Sequence, residues 1–107
     1  MTNTHPMEAL GDPTRRRIFE RIRQGPCSVS ELVETVSVSQ PAVSQHLKVL
    51  REAQLVTVEK QGQKRIYQLN LNGLQELRQY IEGLWDDALQ AFQAEAEKIA
   101  NATKNYD

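Results

Sequence analysis

One cysteine, two histidines and one tryptophan in 107 residues leave little room for several kinds of chemistry. Cys27, standing alone, cannot close an intrachain disulfide or join a thiolate cluster around zinc. A reducing cytoplasm is therefore the expected setting, with no metal and no cofactor. No run of apolar residues is longer than two, which excludes a transmembrane helix and leaves no hydrophobic stretch for a secretory signal peptide. The five glycines are scattered, so none of them builds a loop that could cradle a phosphate. His5 and His46 fall in segments with separate roles, and the carboxylates are spread over polar faces. No catalytic arrangement emerges, and an enzyme is not expected.

What remains is an ordinary globular composition, 39% hydrophobic and 25% charged, sized for a single domain over residues 1–107. The formal net charge is only −1, yet it is unevenly spread. Residues 1–69 carry 10 Lys or Arg against 7 Asp or Glu, and residues 70–107 carry 3 against 7. Basic charge is thus concentrated in the first two-thirds, where a polyanion-facing surface would need it.

Local chemistry marks the elements. Residues 1–6 are polar and expected to fray. Met7 to Leu10 can form a short helix that stops at Gly11. Asp12-Pro13 reads as an N-cap with proline at the first helical position, and Ile18, Phe19 and Ile22 follow at helical spacing until Gly25-Pro26. Ser28 and Glu31 fit a capping box, opening a short helix whose buried side is Val29, Leu32, Val33 and Val36. Ser37-Val38-Ser39 forms the turn, and Ser39 caps the next helix, which runs to about Ala53. The period then changes. Leu55–Glu59 and Arg65–Leu69 are rich in β-branched and aromatic residues, with Lys60-Gln-Gly-Gln-Lys64 between them, which reads as a hairpin. A long helix is expected from about residue 72 to 104. The class is mostly α with a β-hairpin wing.

Helix, turn, helix and hairpin in this order make a winged helix-turn-helix, in which the second helix of the pair enters the major groove. At about 100° per residue from Gln40, Val43, His46, Leu47 and Leu50 lie between about 240° and 340°, whereas Pro41, Ser44, Gln45 and Lys48 lie between about 40° and 140°. The exposed arc suits DNA: Gln can pair with both N6 and N7 of adenine, and Ser can donate to or accept from several base edges. Backbone contacts are expected from Ser39, Pro41 and Lys48, and from the wing residues Lys60, Gln63, Lys64 and Arg65 around Gly62.

The stretch Ala9-Leu-Gly-Asp-Pro-Thr-Arg-Arg-Arg-Ile18, the run Ser39-Gln-Pro-Ala-Val-Ser-Gln-His-Leu-Lys-Val-Leu50, and Gly62 followed by Tyr67-Gln-Leu69 resemble the ArsR-type family of bacterial transcriptional repressors. The likeness covers about residues 7 to 92. It implies a homodimer that binds an inverted-repeat operator and represses its own operon, and it places base contacts at Gln40, Ser44 and Gln45. The chain departs from the metal-sensing members, which carry Cys-x-Cys where this chain has Leu32-Val-Glu-Thr-Val36. Other members carry Asp and His ligands on a last helix that here contains no histidine. His46 is expected to be a packed, hydrogen-bonded side chain, and Asp86-Asp87 a solvated face. Cys27, beside a helix N-terminus, has the position of a redox thiol, but a small, partly buried residue is the expected reading.

The last helix carries a broad apolar stripe. From Leu74, the side chains of Leu77, Ile81, Leu84, Trp85, Ala88, Leu89, Phe92, Ala96 and Ile99 fall within about 140° along roughly 28 residues, or about 40 Å. A dimer interface of Leu77, Ile81, Leu84, Trp85, Ala88, Leu89 and Phe92, completed by Met7 and Leu10, would cover it. Two alternatives to a constitutive repressor stay open: a winged helix kept for protein docking without DNA binding, and a repressor switched by a thiol oxidant or small ligand.

Overall fold

The structure, a computed structural model, describes residues 4–104. Its elements run α1 (Pro6–Ala9), α2 (Pro13–Arg23), β1 (Cys27–Ser28), α3 (Val29–Thr35), α4 (Gln40–Glu52), β2 (Val56–Gln61), β3 (Lys64–Leu69) and α5 (Leu71–Lys104). Up to Leu77 the chain forms one compact unit; from Arg78 it forms a second, in which the described residues all belong to α5.

Three helices carry proline in their first turn, where a missing N–H costs nothing. Their caps are those the chemistry calls for. The Asp12 carboxylate accepts from the Arg15 amide at 2.9 Å. Ser28 and Glu31 close a reciprocal capping box on α3. The Ser39 hydroxyl accepts from the Ala42 amide at 3.3 Å. Arg21 reaches from α2 to the Glu31 carboxylate at 3.1 Å, so the box also ties two helices together. Of the segment expected to fray, residues 1–3 lie outside the described residues. Within the rest, the His5 ring accepts from the Met7 amide at 3.0 Å and caps α1, which begins at Pro6.

The core of the first unit gathers Ile18, Phe19 and Ile22 from α2, Leu32 from α3, and Val43, Leu47 and Leu50 from α4, closed by Leu55, Val56 and Tyr67. Val36 is buried with them, but Val29 and Val33 are only partly covered, so the buried side of α3 is narrower than its apolar pattern. α3 and α4 are joined by residues 36–39, one residue more than the expected turn, because Val36 already has extended backbone.

Two features of the sheet depart from expectation. It has three strands, in the order β1-β3-β2, because Cys27–Ser28 pairs antiparallel with Ile66 and Tyr67. The hairpin is also longer than its β-rich segments. Lys60 pairs with Arg65 and Gln61 with Lys64, so the expected five-residue loop shrinks to a turn of Gly62 and Gln63. Gly62 has φ +65°, the conformation that a two-residue hairpin turn needs at its first central position when only that residue is left-handed.

α4 ends on an unusual residue. Gln54 follows the C-cap with φ 62°, the one non-glycine residue with positive φ among those described. Its carbonyl faces the first turn of α5: a Cβ built on Gly73 would lie 1.8 Å from the Gln54 oxygen. The Asn70 amide donates to the Leu55 carbonyl at 2.9 Å, and Leu74 packs against the core. The first turns of α5 are therefore seated on the end of α4 by backbone contact.

The second unit is a different kind of object. α5 counts 34 residues, about 50 Å at 1.5 Å per residue. From residue 78 to 103 every side chain is exposed, Trp85 at 64% and Phe92 at 72% among them.

Candidate nucleic-acid interface

The second helix of the helix-turn-helix pair, α4, buries Val43, Leu47 and Leu50 and leaves Gln40, Pro41, Ser44, Gln45 and Lys48 exposed, as the angular reading predicts. Those five side chains do not stand on an isolated helix face. They line an open concavity of about 630 Å³ whose other walls are Val29, Arg51, Arg65 and Tyr67. A smaller hollow of about 280 Å³ adjoins it, where Gln40 meets Ser28, Val29 and Ser30 on one side and Gln63, Lys64 and Arg65 on the other. Recognition helix and wing base thus share one continuous surface through Gln40 and Arg65. Lys48, Arg51, Lys64 and Arg65 bring four cations to the two hollows, and no carboxylate lines either.

Such a surface suits a polyanion with readable edges: amides and hydroxyls lie along the helix and cations around it. Lys60 joins neither hollow; it is exposed on β2 opposite Arg65. Ser39 is exposed, and its hydroxyl is already used as the α4 cap.

Comparison with known proteins agrees with this geometry. Residues 12–58, which span the helix pair and the start of the wing, match the family described as bacterial regulatory protein, arsR family. The HTH-type transcriptional regulator Rv2034 of Mycobacterium tuberculosis is 48% identical over 85 residues, covering 79% of this chain and 79% of that protein. The chain belongs to the arsR family. The transcriptional repressor SdpR of Bacillus subtilis is 33% identical, covering 64% of this chain and 77% of its own. A solved structure described as a possible transcriptional regulator for arsenical resistance superposes with a TM-score of 0.73 at 38% identity, covering 86% of this chain and 96% of that one. This arsR-family chain is accordingly a winged helix-turn-helix transcription regulator and not an enzyme.

Sequence reasoning missed Arg51. In the same projection it lies at about 20° from Gln40, between Gln40 and Ser44, so the signal was present in the helical period. His46 sits where the periodicity puts it, half-buried, with Nδ1 3.4 Å from an Arg15 guanidinium nitrogen. The Asp12 carboxyl is held below its ordinary range, first by the hydrogen bond from the Arg15 amide, which outweighs partial desolvation.

Cys27 stands just before the Ser28 cap as expected but is more deeply buried than the partly buried reading. Burial pushes its thiol above the ordinary value; the Arg21 charge opposes the shift and Glu31 adds to it. The un-ionised thiol is the wrong form for a reactive sensor. Asp86 and Asp87 are exposed. Among the described residues no group of three or more His, Cys, Asp and Glu could hold a metal ion, and no helix is long and apolar enough to cross a membrane.

The residues assigned to a dimer seam divide. Met7, Ile81, Leu84, Trp85, Ala88, Leu89 and Phe92 are exposed, and Leu77 is half-buried. Leu10 is partly covered by the core of its own chain, which leaves Met7 as the freer apolar side chain of α1.

Proposed function

We propose that this regulator is a sequence-specific repressor that binds an inverted-repeat operator as a homodimer in the cytoplasm and represses its own operon. The observation that carries the reading is the carboxylate-free surface on which Gln40, Ser44 and Gln45 stand between Lys48, Arg51 and Arg65. α4 enters the major groove, where the two Gln and Ser44 read base edges. Lys48, Arg51 and Pro41, with Ser39 at the start of the helix, follow the phosphates, and Lys60, Gln63, Lys64 and Arg65 carry the wing along the flanking backbone. The apolar side of α5 pairs with a second copy. Its Trp85 and Phe92 would otherwise forgo about 1.5–3 kcal/mol of burial each. A two-fold dimer sets two recognition helices about 34–36 Å apart, one turn of DNA.

The test begins with a duplex selected by the protein from a random-sequence pool. Gln45→Ala should weaken binding to that duplex by about 1–3 kcal/mol and leave binding to unselected DNA nearly unchanged. Equal losses on both would show Gln45 to be a backbone contact, and failure to select any sequence would overturn the reading.

A further inference from the structure

α1 has four residues, and the Pro6 and Glu8 carbonyls already accept the Leu10 and Gly11 amides, while carbonyls at a helix end need partners from outside it. Two successive arginines of α2 supply those of Ala9 and Leu10. Arg15 Nε donates to the Ala9 carbonyl at 2.6 Å and Nη2 to the Glu8 carbonyl at 3.5 Å. Arg16 Nε donates to the Leu10 carbonyl at 3.0 Å. Arg16 stops there. Arg15 has donors to spare, and its Nη1 lies 3.4 Å from Nδ1 of His46.

A guanidinium can only donate, so in this contact Nδ1 of His46 is the accepting atom. His46 belongs to α4, next to Gln45 and two residues from Ser44. The planar fork of Arg15 is half-buried and fixed at its other corners by backbone carbonyls. It therefore joins the end of α1 to one side of the recognition helix, opposite the arc that faces the groove.

We propose that Arg15 is a positioning residue for DNA reading: through His46 it sets the rotation of α4 about its own axis, and so the direction in which Gln40, Ser44 and Gln45 point. This rests on the DNA-binding function above. Arg15 does not line either hollow of the interface and touches no phosphate in this scheme. Loss of the link misaims the base readers and leaves the electrostatic attraction intact.

The experiment uses the full chain, the selected duplex and an unselected duplex of equal length. Arg15→Gln and His46→Leu should each lower affinity for the selected duplex about threefold to tenfold, with unchanged affinity for unselected DNA and an unchanged slope of log affinity against log salt. The double variant should be no worse than either single one, since both break the same link. His46→Asn, which puts an amide oxygen near the place of Nδ1, should restore most of the preference. His46→Leu keeps the α1 carbonyls capped, so it decides the matter even where Arg15→Gln does not fold. A salt slope lowered by about one unit in Arg15→Gln would make Arg15 a phosphate contact. That result, additive losses, or His46→Leu binding like wild type would overturn the proposal while leaving the repressor reading in place. A wild-type chain with no sequence preference would overturn both.

Discussion

Up to Leu77 most large apolar side chains are buried in a shared core; among the described residues from Arg78 on, every one is exposed. Leu47, Leu50, Val43 and Ile18 are fully enclosed, whereas Leu84, Trp85, Phe92 and Ile99 stand in solvent at half exposure or more. Both stretches are amphipathic helices by pattern, so the pattern alone does not say what covers the apolar side. In the first unit, short helices linked by tight caps fold over one another. In the second, a single helix has no other element of its own to fold against. An apolar stripe therefore specifies a fold only where other elements of the chain close over it.

Substitutions can break or sharpen this contrast. The largest effect is expected for Leu47→Ala, which empties a fully buried site and should cost about 2–5 kcal/mol. The loss should appear in thermal unfolding at every protein concentration. Phe92→Ala should act differently. It should weaken self-association by about 1.5–3 kcal/mol per buried ring, seen by sedimentation, and lower Tm only where the wild-type chain is associated. An equal loss of Tm at nanomolar and micromolar protein would mean that Phe92 is covered within its own chain, and the contrast would fail.

A smaller effect sharpens the first unit alone. Gln54 holds φ 62°, a left-handed backbone that costs an L-residue about 1 kcal/mol and costs glycine little. Gln54→Gly should therefore stabilise the fold by about that amount in denaturant unfolding; a loss would show that the Gln54 side chain contributes stability of its own. The slightest change is confined to acid. The Asp12 carboxyl titrates below its ordinary 3.8, so the ionised group contributes stability above that value, and the contribution disappears as pH falls through the lower folded-state value. Asp12→Asn keeps a capping oxygen but removes the titration. Its stability deficit should be constant near neutrality and shrink below about pH 4. A deficit that stays the same down to pH 2 would remove Asp12 from the acid response.

The parts of this molecule that were legible in advance are those set by near neighbours. Ser28 with Glu31, Asp12 with Pro13, and Ser39 ahead of Gln40 each act within three residues, and each cap is where local chemistry places it. The exposed arc of α4 was legible for the same reason, since Gln40, Ser44, Gln45 and Lys48 are related by the helix period alone. What escaped depends on distant partners. β1 is two residues long, too short for any period, and exists because Ile66 and Tyr67 pair with it across the sheet. The wing tightens because register carries pairing through Lys60, Gln61 and Lys64, residues with little strand preference of their own. The Arg15–His46 contact spans 31 positions and leaves no local trace. Arg51 is the exception: it lay within the same helical period.

The close approach of Gly73 to Gln54 also bears on which sequences this fold can accept. Glycine would be welcome at 54, where the backbone is left-handed, yet the chain has glutamine there; at 73, inside a helix, glycine costs about 0.5–1 kcal/mol relative to alanine, yet the chain has glycine. The two positions cannot trade roles, because the atom that excludes a Cβ at 73 is the backbone oxygen of residue 54, which every amino acid carries. Saturation mutagenesis should accordingly return opposite profiles: broad tolerance at 54 with glycine the fittest, and glycine alone at 73 whatever stands at 54. The end of α4 should thus accept many side chains while the residue that its carbonyl faces accepts none.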